Sequence, residues 1–292
     1  GINHTSNWTL DYAWPGDSLV FGAPLELPVH VALSVGNWSP PRPPISFLAV
    51  EVAQPDPTDP THQPTDVLPR SARQLWSDFQ DSGFRIAIVG ASDNRCFQRQ
   101  IGQLRTGVLI DGAVTYERYL EGLRLGRTQA VKGQGTVADL TAWSSSTPGD
   151  VKIIGDTLAV SSGSQVNFRV QATLKVAGMI ELLGNGQPQP WCQMMGQVGT
   201  NDFTCGPIAM LSSAWMSVRA PLVQTSPIYV ELDGVPYRPY NAALCRNISH
   251  IQRLIDTYAG PGGPLFSRLG EYLNAQAEYQ ARLDPACRAQ LQ

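Results

Sequence analysis

The stretch "VKIIGDTLAVSSGSQVNFRVQATLKVAGMIELLGNGQP", residues 151–188, decides the fold of much of this 292-residue chain. Apolar and polar residues alternate along it with a period of two, and Gly-Asp, Ser-Gly and Gly-Asn-Gly turns interrupt the alternation. Such alternation is typical of strands that bury one face. It continues through residues 203–220 and 226–239, where Asp233-Gly234 predicts a hairpin turn. The sequence therefore predicts an antiparallel, sandwich-like β domain over residues 131–240.

The regions on either side of this domain have different patterns. Residues 45–90 read as a strand, an amphipathic helix that ends at Gly83, and a second strand, which is the order expected of a parallel α/β sheet. A further strand and a helix ended by Gly126 complete a predicted α/β region over residues 1–130. Two helical patterns joined by "AGPGGP" predict a helical C-terminal tail over residues 241–292.

The composition excludes several classes of partner. The chain is 42% hydrophobic and 15% charged, with a net charge of −3 and no basic cluster, which argues against nucleic acid. No apolar run approaches the roughly 18 residues of a membrane helix, so we expect no membrane span. The opening "GINHTSNWT" has neither a Met nor a basic n-region. We expect Gly1 to be a processed or truncated start.

The cysteines and the glycosylation sequons indicate in which cellular compartment the protein is found. No CxxC pair is present, which argues against a zinc knuckle. The disulfide candidates are Cys192 with Cys205 and Cys245 with Cys287, which leaves Cys96 over, and five reduced thiols are the alternative. Together with a low Lys content and the sequons, the possible disulfides favour an exported protein, extracellular or periplasmic. The candidate glycosylation sites are Asn3, Asn7, Asn37 and Asn247.

An ordered series of segments between residues 45 and 240 resembles a known enzyme group. The series is "RIAIVGASDNR", "LRTGVLIDG", "YLEGLRLGRTQAVKGQG", "GDTLAV", "IELLGNGQ", "SSAWMSVRA" and "SPIYVELDG". It resembles the second half of the CehA/McbA-like branch of the PHP (polymerase and histidinol phosphatase) superfamily, which are metal-dependent hydrolases. The resemblance implies a partial, PHP-like β/α barrel, then the antiparallel β-sandwich-like domain and the short helical tail.

The resemblance also implies a metal site, of which this chain has few residues. PHP sites hold divalent metals through His and carboxylate ligands, and the first motifs of the group, a His-x-His pair and a later Glu, have no match here. "INHT" places His4 at the third motif, with Thr5 where Pro is usual. Residues 92–95, Ser-Asp-Asn-Arg, match the fourth motif at Asp93 but carry Arg95 in place of a His ligand.

The substitution at Arg95 can be judged from its chemistry. Arginine has no free lone pair and stays cationic, so it cannot replace a His ligand. His4 and Asp93 alone do not supply the three protein ligands that a catalytic zinc site usually has. We therefore expect no cofactor in this chain, unless a missing segment completes a Zn, Mn or Fe site. The alternatives are that Asp93 is a turn residue or the ion-pair partner of Arg95, and that Arg95 binds an anion.

These observations give three hypotheses for the function, and they leave open whether the chain is an enzyme. The first is an exported, PHP-derived and catalytically inactive module, a structural or binding subunit that has a protein partner or self-assembles. The second is the C-terminal half of a metal-dependent phosphoesterase or other hydrolase, completed by a missing N-terminal segment. The third is an extracellular carbohydrate-binding subunit, in which Trp8, Trp14 and Trp38 either stack on sugars or fill the core.

Overall fold

The computed structural model describes the sandwich domain almost completely and the rest of the chain in part. The described residues are 29–33, 48–52, 76–77, 80–81, 83, 85, 87–90, 104–133, 136–235, 244–245, 248–249, 252, 255–256, 261–262 and 269–283.

These residues contain fifteen strands and two helices. The helices are α1 (Tyr116–Arg124) and α2 (Leu269–Arg282). The strands in chain order are β1 (Val29–Leu33), β2 (Leu48–Val52), β3 (Ala87–Gly90), β4 (Leu104–Val108), β5 (Thr128–Lys132), β6 (Val137–Ser144), β7 (Lys152–Ile153), β8 (Thr157–Val160), β9 (Gln165–Leu174), β10 (Gly178–Gly184), β11 (Gln187–Gly196), β12 (Gly199–Ala209), β13 (Ala214–Ala220), β14 (Val223–Thr225) and β15 (Ile228–Leu232).

The strands form three sheets. An eight-stranded sheet has the order β11-β10-β13-β14-β5-β4, and β15 joins it by pairing with β13 and with β8. A four-stranded sheet has the order β12-β9-β6-β7, and all of its pairs are antiparallel. A three-stranded sheet has the order β1-β2-β3.

The predicted β/α barrel is wrong, whereas the sandwich-like β domain is confirmed. A β/α barrel needs successive parallel strands. In the structure, β4 and β5 flank α1 but pair antiparallel, and β5 continues the eight-stranded sheet through β14. The division predicted at residue 130 falls inside β5. The parallel pairing of β2 with β3 agrees with the predicted strand–helix–strand unit, but the described residues are mainly antiparallel strands in open sheets.

The eight-stranded and four-stranded sheets pack face to face around one apolar core. Alternate residues of each strand supply the core because successive side chains of a strand point to opposite faces. On β9, for example, Val166, Phe168 and Val170 are completely buried. The two sheets form a sandwich, and the burial of apolar surface between them contributes most of its stability.

The other face of the eight-stranded sheet is covered by a more polar layer. The rings of Trp76 and Trp215 meet edge to face with centroids 5.1 Å apart. The Thr128 hydroxyl donates to the Ile88 carbonyl at 2.6 Å, and the Ile88 N–H donates to the Ser226 hydroxyl at 2.9 Å. Side chains thus connect β3 to the large sheet by hydrogen bonds in place of a strand ladder.

Turn residues that the sequence singles out lie where they were predicted. Asp233 and Gly234 both have positive φ, 54° and 70°, as a type I′ hairpin turn requires. Gly126, which follows α1, has φ 70°, and Gly83 has φ 81° with its N–H donated to the Gln80 carbonyl at 2.9 Å. These left-handed conformations explain why glycine ends both helical segments.

Candidate binding surface

The residues that the sequence proposed as a metal site cannot be located in the structure. His4, Asp93 and Arg95 lie outside the described residues, so their metal and anion roles stay predictions. The same holds for Cys96, Cys287 and the four sequon asparagines. Within the part of the chain that the structure describes, no group of three or more His, Cys, Asp or Glu side chains could hold a metal ion.

The structure contains one of the two predicted disulfides. Cys192 and Cys205 are bonded, with an S–S distance of 2.00 Å and a Cα–Cα distance of 5.5 Å. The alternative of five reduced thiols is therefore wrong. Cys192 lies on β11 and Cys205 on β12, which are the edge strands of the two sandwich sheets. Cys245 has a free thiol, and Cys287, its predicted partner, lies outside the described residues.

The solvent-facing side of the four-stranded sheet is the most distinctive exposed surface of the sandwich, and we call it the outer face. Along β6, buried Ala138, Leu140 and Ala142 alternate with residues that are half-buried or exposed. The same alternation holds along β9, and over the first half of β12 half-buried residues alternate with exposed ones. The outer face consists of Val137, Asp139, Thr141 and Trp143 on β6, Asn167, Arg169, Gln171 and Thr173 on β9, and Thr200, Asp202 and Thr204 on β12.

A row of hydrogen-bonded polar side chains crosses this face. Asp202, Gln171 and Asp139 are direct cross-strand partners on β12, β9 and β6. Arg169 donates through Nε to Asp202 Oδ1 at 2.9 Å and through Nη2 to Asp202 Oδ2 at 2.5 Å, and Gln171 Nε2 donates to the same Oδ2 at 2.9 Å. The hydrogen bond and charge of Arg169 lower the pKa of Asp202. This carboxylate is therefore ionised and fixed in position at neutral pH.

Asp139, at the other end of the row, lies where β6 lacks a partner strand on one side. The neighbouring strand β7 has only two residues, so most of β6 lacks a partner strand on that side. Side chains take its place, since the Leu140 N–H donates to Asp139 Oδ1 at 2.8 Å and the Ala138 N–H to Gln129 Oε1 at 2.9 Å. Burial raises the pKa of Asp139 above its ordinary value, and the Leu140 N–H opposes this shift.

Trp143 adds an aromatic ring to this polar surface. It is half-buried, and its cross-strand partner is Asn167, whose Nδ2 donates to Ser145 Oγ at 2.8 Å. Sequence reasoning did not identify Trp143. The signal was present in "VADLTAWS", residues 137–144, where the period-two alternation places Trp143 on the same side as Asp139 and Thr141.

On the opposite side of the molecule, Gln80 and Tyr229 are buried and belong to the packing of the large sheet, and Arg85 beside them is exposed. Tyr229 donates its hydroxyl to Gln80 Oε1 at 3.0 Å, and the Arg85 guanidinium lies 4.5 Å from the centre of the Tyr229 ring. Burial raises the pKa of Tyr229 far above its ordinary value, so the phenol stays protonated. These contacts join Gln80 and Arg85 to β15 of the large sheet.

The fold, the disulfide and the outer face together define a disulfide-linked β-sandwich domain. No family model matches the chain, and no curated protein or solved structure matches it either. The resemblance to the PHP superfamily thus stays a prediction. None of the helices in the described ranges is long and apolar enough to cross a membrane.

Proposed function

We propose that this chain is an extracellular or periplasmic carbohydrate-binding module, and that the outer face is its binding surface. The observation that carries the proposal is Trp143, an aromatic side chain on a sheet face that, apart from Val137, carries hydroxyl, amide, carboxylate and guanidinium groups. The proposal keeps the binding role and the exported setting expected from the sequence. It involves no barrel and assigns no catalytic residue.

The chemistry of a sugar ring matches this combination of groups. A pyranose has an apolar C–H face that can pack on an aromatic ring, and its rim carries hydroxyls that both donate and accept hydrogen bonds. Amides supply both donors and acceptors, and ionised carboxylates accept only. Gln171 and Asn167 lie on β9 between Asp202 on one side and Asp139 and Trp143 on the other. A sugar packed on Trp143 would have such groups within reach along its rim.

The disulfide supports the exported setting. Disulfides persist in oxidising compartments and are rare in the cytosol of mesophiles. The Cys192–Cys205 bond is almost completely buried, at 0% and 6% exposure. Free Cys245 does not weaken this inference, because a half-buried thiol can remain reduced in an exported protein.

An apolar patch at one end of the sandwich supports the expectation of a larger assembly. Met179 and Met195 are cross-strand partners and both are exposed. Val176 and Val198 lie in the β9–β10 and β11–β12 connections and are exposed as well. Contiguous exposed apolar groups commonly mark contacts with other macromolecules. The module therefore has a surface for a protein neighbour that is separate from its outer face.

Affinity electrophoresis in gels containing soluble polysaccharides tests the proposal. Suitable probes are mixed-linkage β-glucan, xylan, galactomannan, polygalacturonate and alginate. We expect at least one polymer to retard the wild-type protein, and Trp143→Ala to weaken that binding about tenfold, because it removes the stacking surface.

The matched control is Trp191→Ala, which removes another exposed tryptophan, one that lies on β11 and not on the outer face. We expect this variant to bind within about twofold of wild type, a difference well below the 1.4 kcal/mol of a tenfold effect. Circular dichroism verifies that both variants are folded. The proposal is wrong if no polymer retards the wild type, or if Trp143→Ala binds as well as Trp191→Ala does.

A further inference from the structure

The charges of the outer face have an arrangement that bears on the kind of polysaccharide it binds. Its one cationic group is Arg169, and its anionic groups are Asp139 and Asp202. Arg169 uses Nε and Nη2 for a bidentate contact with both carboxylate oxygens of Asp202. The fork of an arginine is the geometry with which proteins bind carboxylates, phosphates and sulfates. Here a side chain of the protein itself occupies that fork.

An anionic sugar would have to compete with Asp202 for Arg169. The contact raises the pKa of Arg169 and lowers that of Asp202, so both groups remain charged across the neutral range. Gln171 holds the same Asp202 oxygen from a second direction at 2.9 Å. Asp139 forms no ion pair with a described residue, so it gives the outer face a net negative charge that repels anions.

The dimensions of the face suit a polymer. From Thr173 to Asn167 the outer residues of β9 span about 20 Å along the strand, at about 3.4 Å per residue. The three strands β12, β9 and β6 cover about 10 Å across, at about 4.8 Å per strand. Trp143 lies toward one end of this strip and the Thr173–Thr200 pair lies toward the other. A strip of this shape accommodates several consecutive sugar residues.

We infer that the outer face binds a linear, uncharged polysaccharide and excludes anionic ones, and that Asp202 sets this selectivity by occupying Arg169. The inference rests on the proposed carbohydrate-binding function and narrows its ligand class. Asp202 determines the specificity indirectly, because it occupies the guanidinium of Arg169. Removal of its charge, with the side-chain shape kept, should therefore release the Arg169 fork for an anionic ligand.

The test compares Asp202→Asn with Asp150→Asn by affinity electrophoresis. Asp150 is an exposed aspartate that pairs with Lys152 at 2.6 Å, so both variants lose one negative charge but only the first frees Arg169. We expect neutral xylan, mixed-linkage β-glucan or galactomannan to retard the wild type, with no retardation by polygalacturonate or alginate. Asp202→Asn should gain retardation by the two anionic polymers, whereas Asp150→Asn should not.

A double variant shows whether the gain comes from Arg169. Asp202→Asn combined with Arg169→Gln should lose the new binding to polygalacturonate and alginate, and the gain in the single variant should weaken as salt is raised. Retardation of the wild type by anionic polymers, or the same gain in Asp150→Asn, would overturn the inference and leave the carbohydrate-binding proposal standing. If no polymer retards the wild type, both are overturned.

Discussion

The inner and outer faces of the four-stranded sheet are made from alternate residues of the same strands, and they differ in almost every property. On β9, Val166, Phe168, Val170, Ala172 and Leu174 face the second sheet and are at most 2% exposed. The residues between them are polar and half-buried or exposed; Arg169 and Gln171 donate to Asp202 on β12, and Asn167 donates to Ser145. Neighbouring positions in the sequence therefore have unrelated physical roles.

This separation has a consequence for experiment. Free energy of folding comes mainly from the apolar residues of the inner face, since burial removes their surface from water. Exposed polar residues contribute little to that free energy, and substitutions there usually change it by less than about 0.5 kcal/mol. Stability and ligand binding should therefore respond to different residues, even when those residues are adjacent.

The largest effect is expected from Phe168→Ala, at the centre of the inner face. Phe168 is fully buried, and its ring centroid lies 6.3 Å from that of Trp191. Truncation removes buried apolar surface and leaves a cavity, which should lower the free energy of unfolding by about 3–5 kcal/mol in urea denaturation. The adjacent outer-face substitution Asn167→Ala should lower it by less than about 1 kcal/mol.

Similar effects of these two substitutions would contradict the separation of roles between the inner and outer faces. A cost for Asn167→Ala close to that of Phe168→Ala would mean that the outer face is covered by other parts of the chain and belongs to the core. The hydrogen bond from Asn167 to Ser145 would then be a buried interaction, and the outer face would not be free to bind a ligand.

The second-largest effect is expected from loss of the disulfide, which joins the edge strands of the two sandwich sheets. The Cys192–Cys205 bond closes a loop with a sequence separation of 13 residues between the two sandwich sheets. In the chain-entropy description a loop of this size stabilises the fold by about 3 kcal/mol. Substitution of both cysteines by alanine should lower the free energy of unfolding by roughly that amount, measured in urea under non-reducing conditions.

Cys245→Ala is the matched control for the disulfide variant. It removes a cysteine that has a free thiol and leaves the Cys192–Cys205 bond intact. We expect little change in stability, and addition of a reductant should destabilise the Cys245→Ala variant but not the double alanine variant. If the double variant is as stable as wild type, strand pairing and packing alone hold the two sheet edges together.

The sequence was informative where a local pattern determines the structure. The period-two alternation of residues 151–188 predicted antiparallel strands, and β9 and β10 confirm it, whereas β8 pairs in parallel with β15. Asp233-Gly234 predicted a hairpin turn because that pair tolerates two positive φ angles, and the turn is present. The same alternation over residues 137–144 contained the position of Trp143 on the outer face, although the prediction did not use it.

The sequence was not sufficient where strand pairing over long distances determines the structure. β5 pairs with β14, more than ninety residues further along the chain, and nothing in the short run Thr128–Lys132 specifies that partner. The strand–helix–strand order around α1 was therefore compatible with a parallel barrel until the antiparallel pairing of β4 with β5 was seen. Likewise, Arg169 and Asp202 are 33 residues apart, and only the register of β9 with β12 brings them together.

The smallest predicted effect concerns Asp139, whose carboxyl on the outer face is partly buried. Because burial raises its pKa in the folded state, the folded protein prefers the protonated carboxyl, and this contribution to stability is lost as the pH rises through that raised pKa. Asp139→Asn keeps an oxygen for the Leu140 N–H and cannot ionise. It should therefore be more stable than wild type at pH 7, by less than about 1 kcal/mol, with the difference vanishing below about pH 4.

Urea denaturation of both proteins between pH 3 and pH 7 measures this difference, and Asp139→Ala separates the charge of the residue from its hydrogen bond. The alanine variant removes the acceptor of the Leu140 N–H as well as the charge, so it should be less stable than Asp139→Asn at every pH. A wild type that gains stability over Asp139→Asn as the pH rises would show that the ionised carboxylate has a cationic partner. In that case the outer face would lack an uncompensated negative charge, and the exclusion of anionic polysaccharides would depend on Asp202 alone.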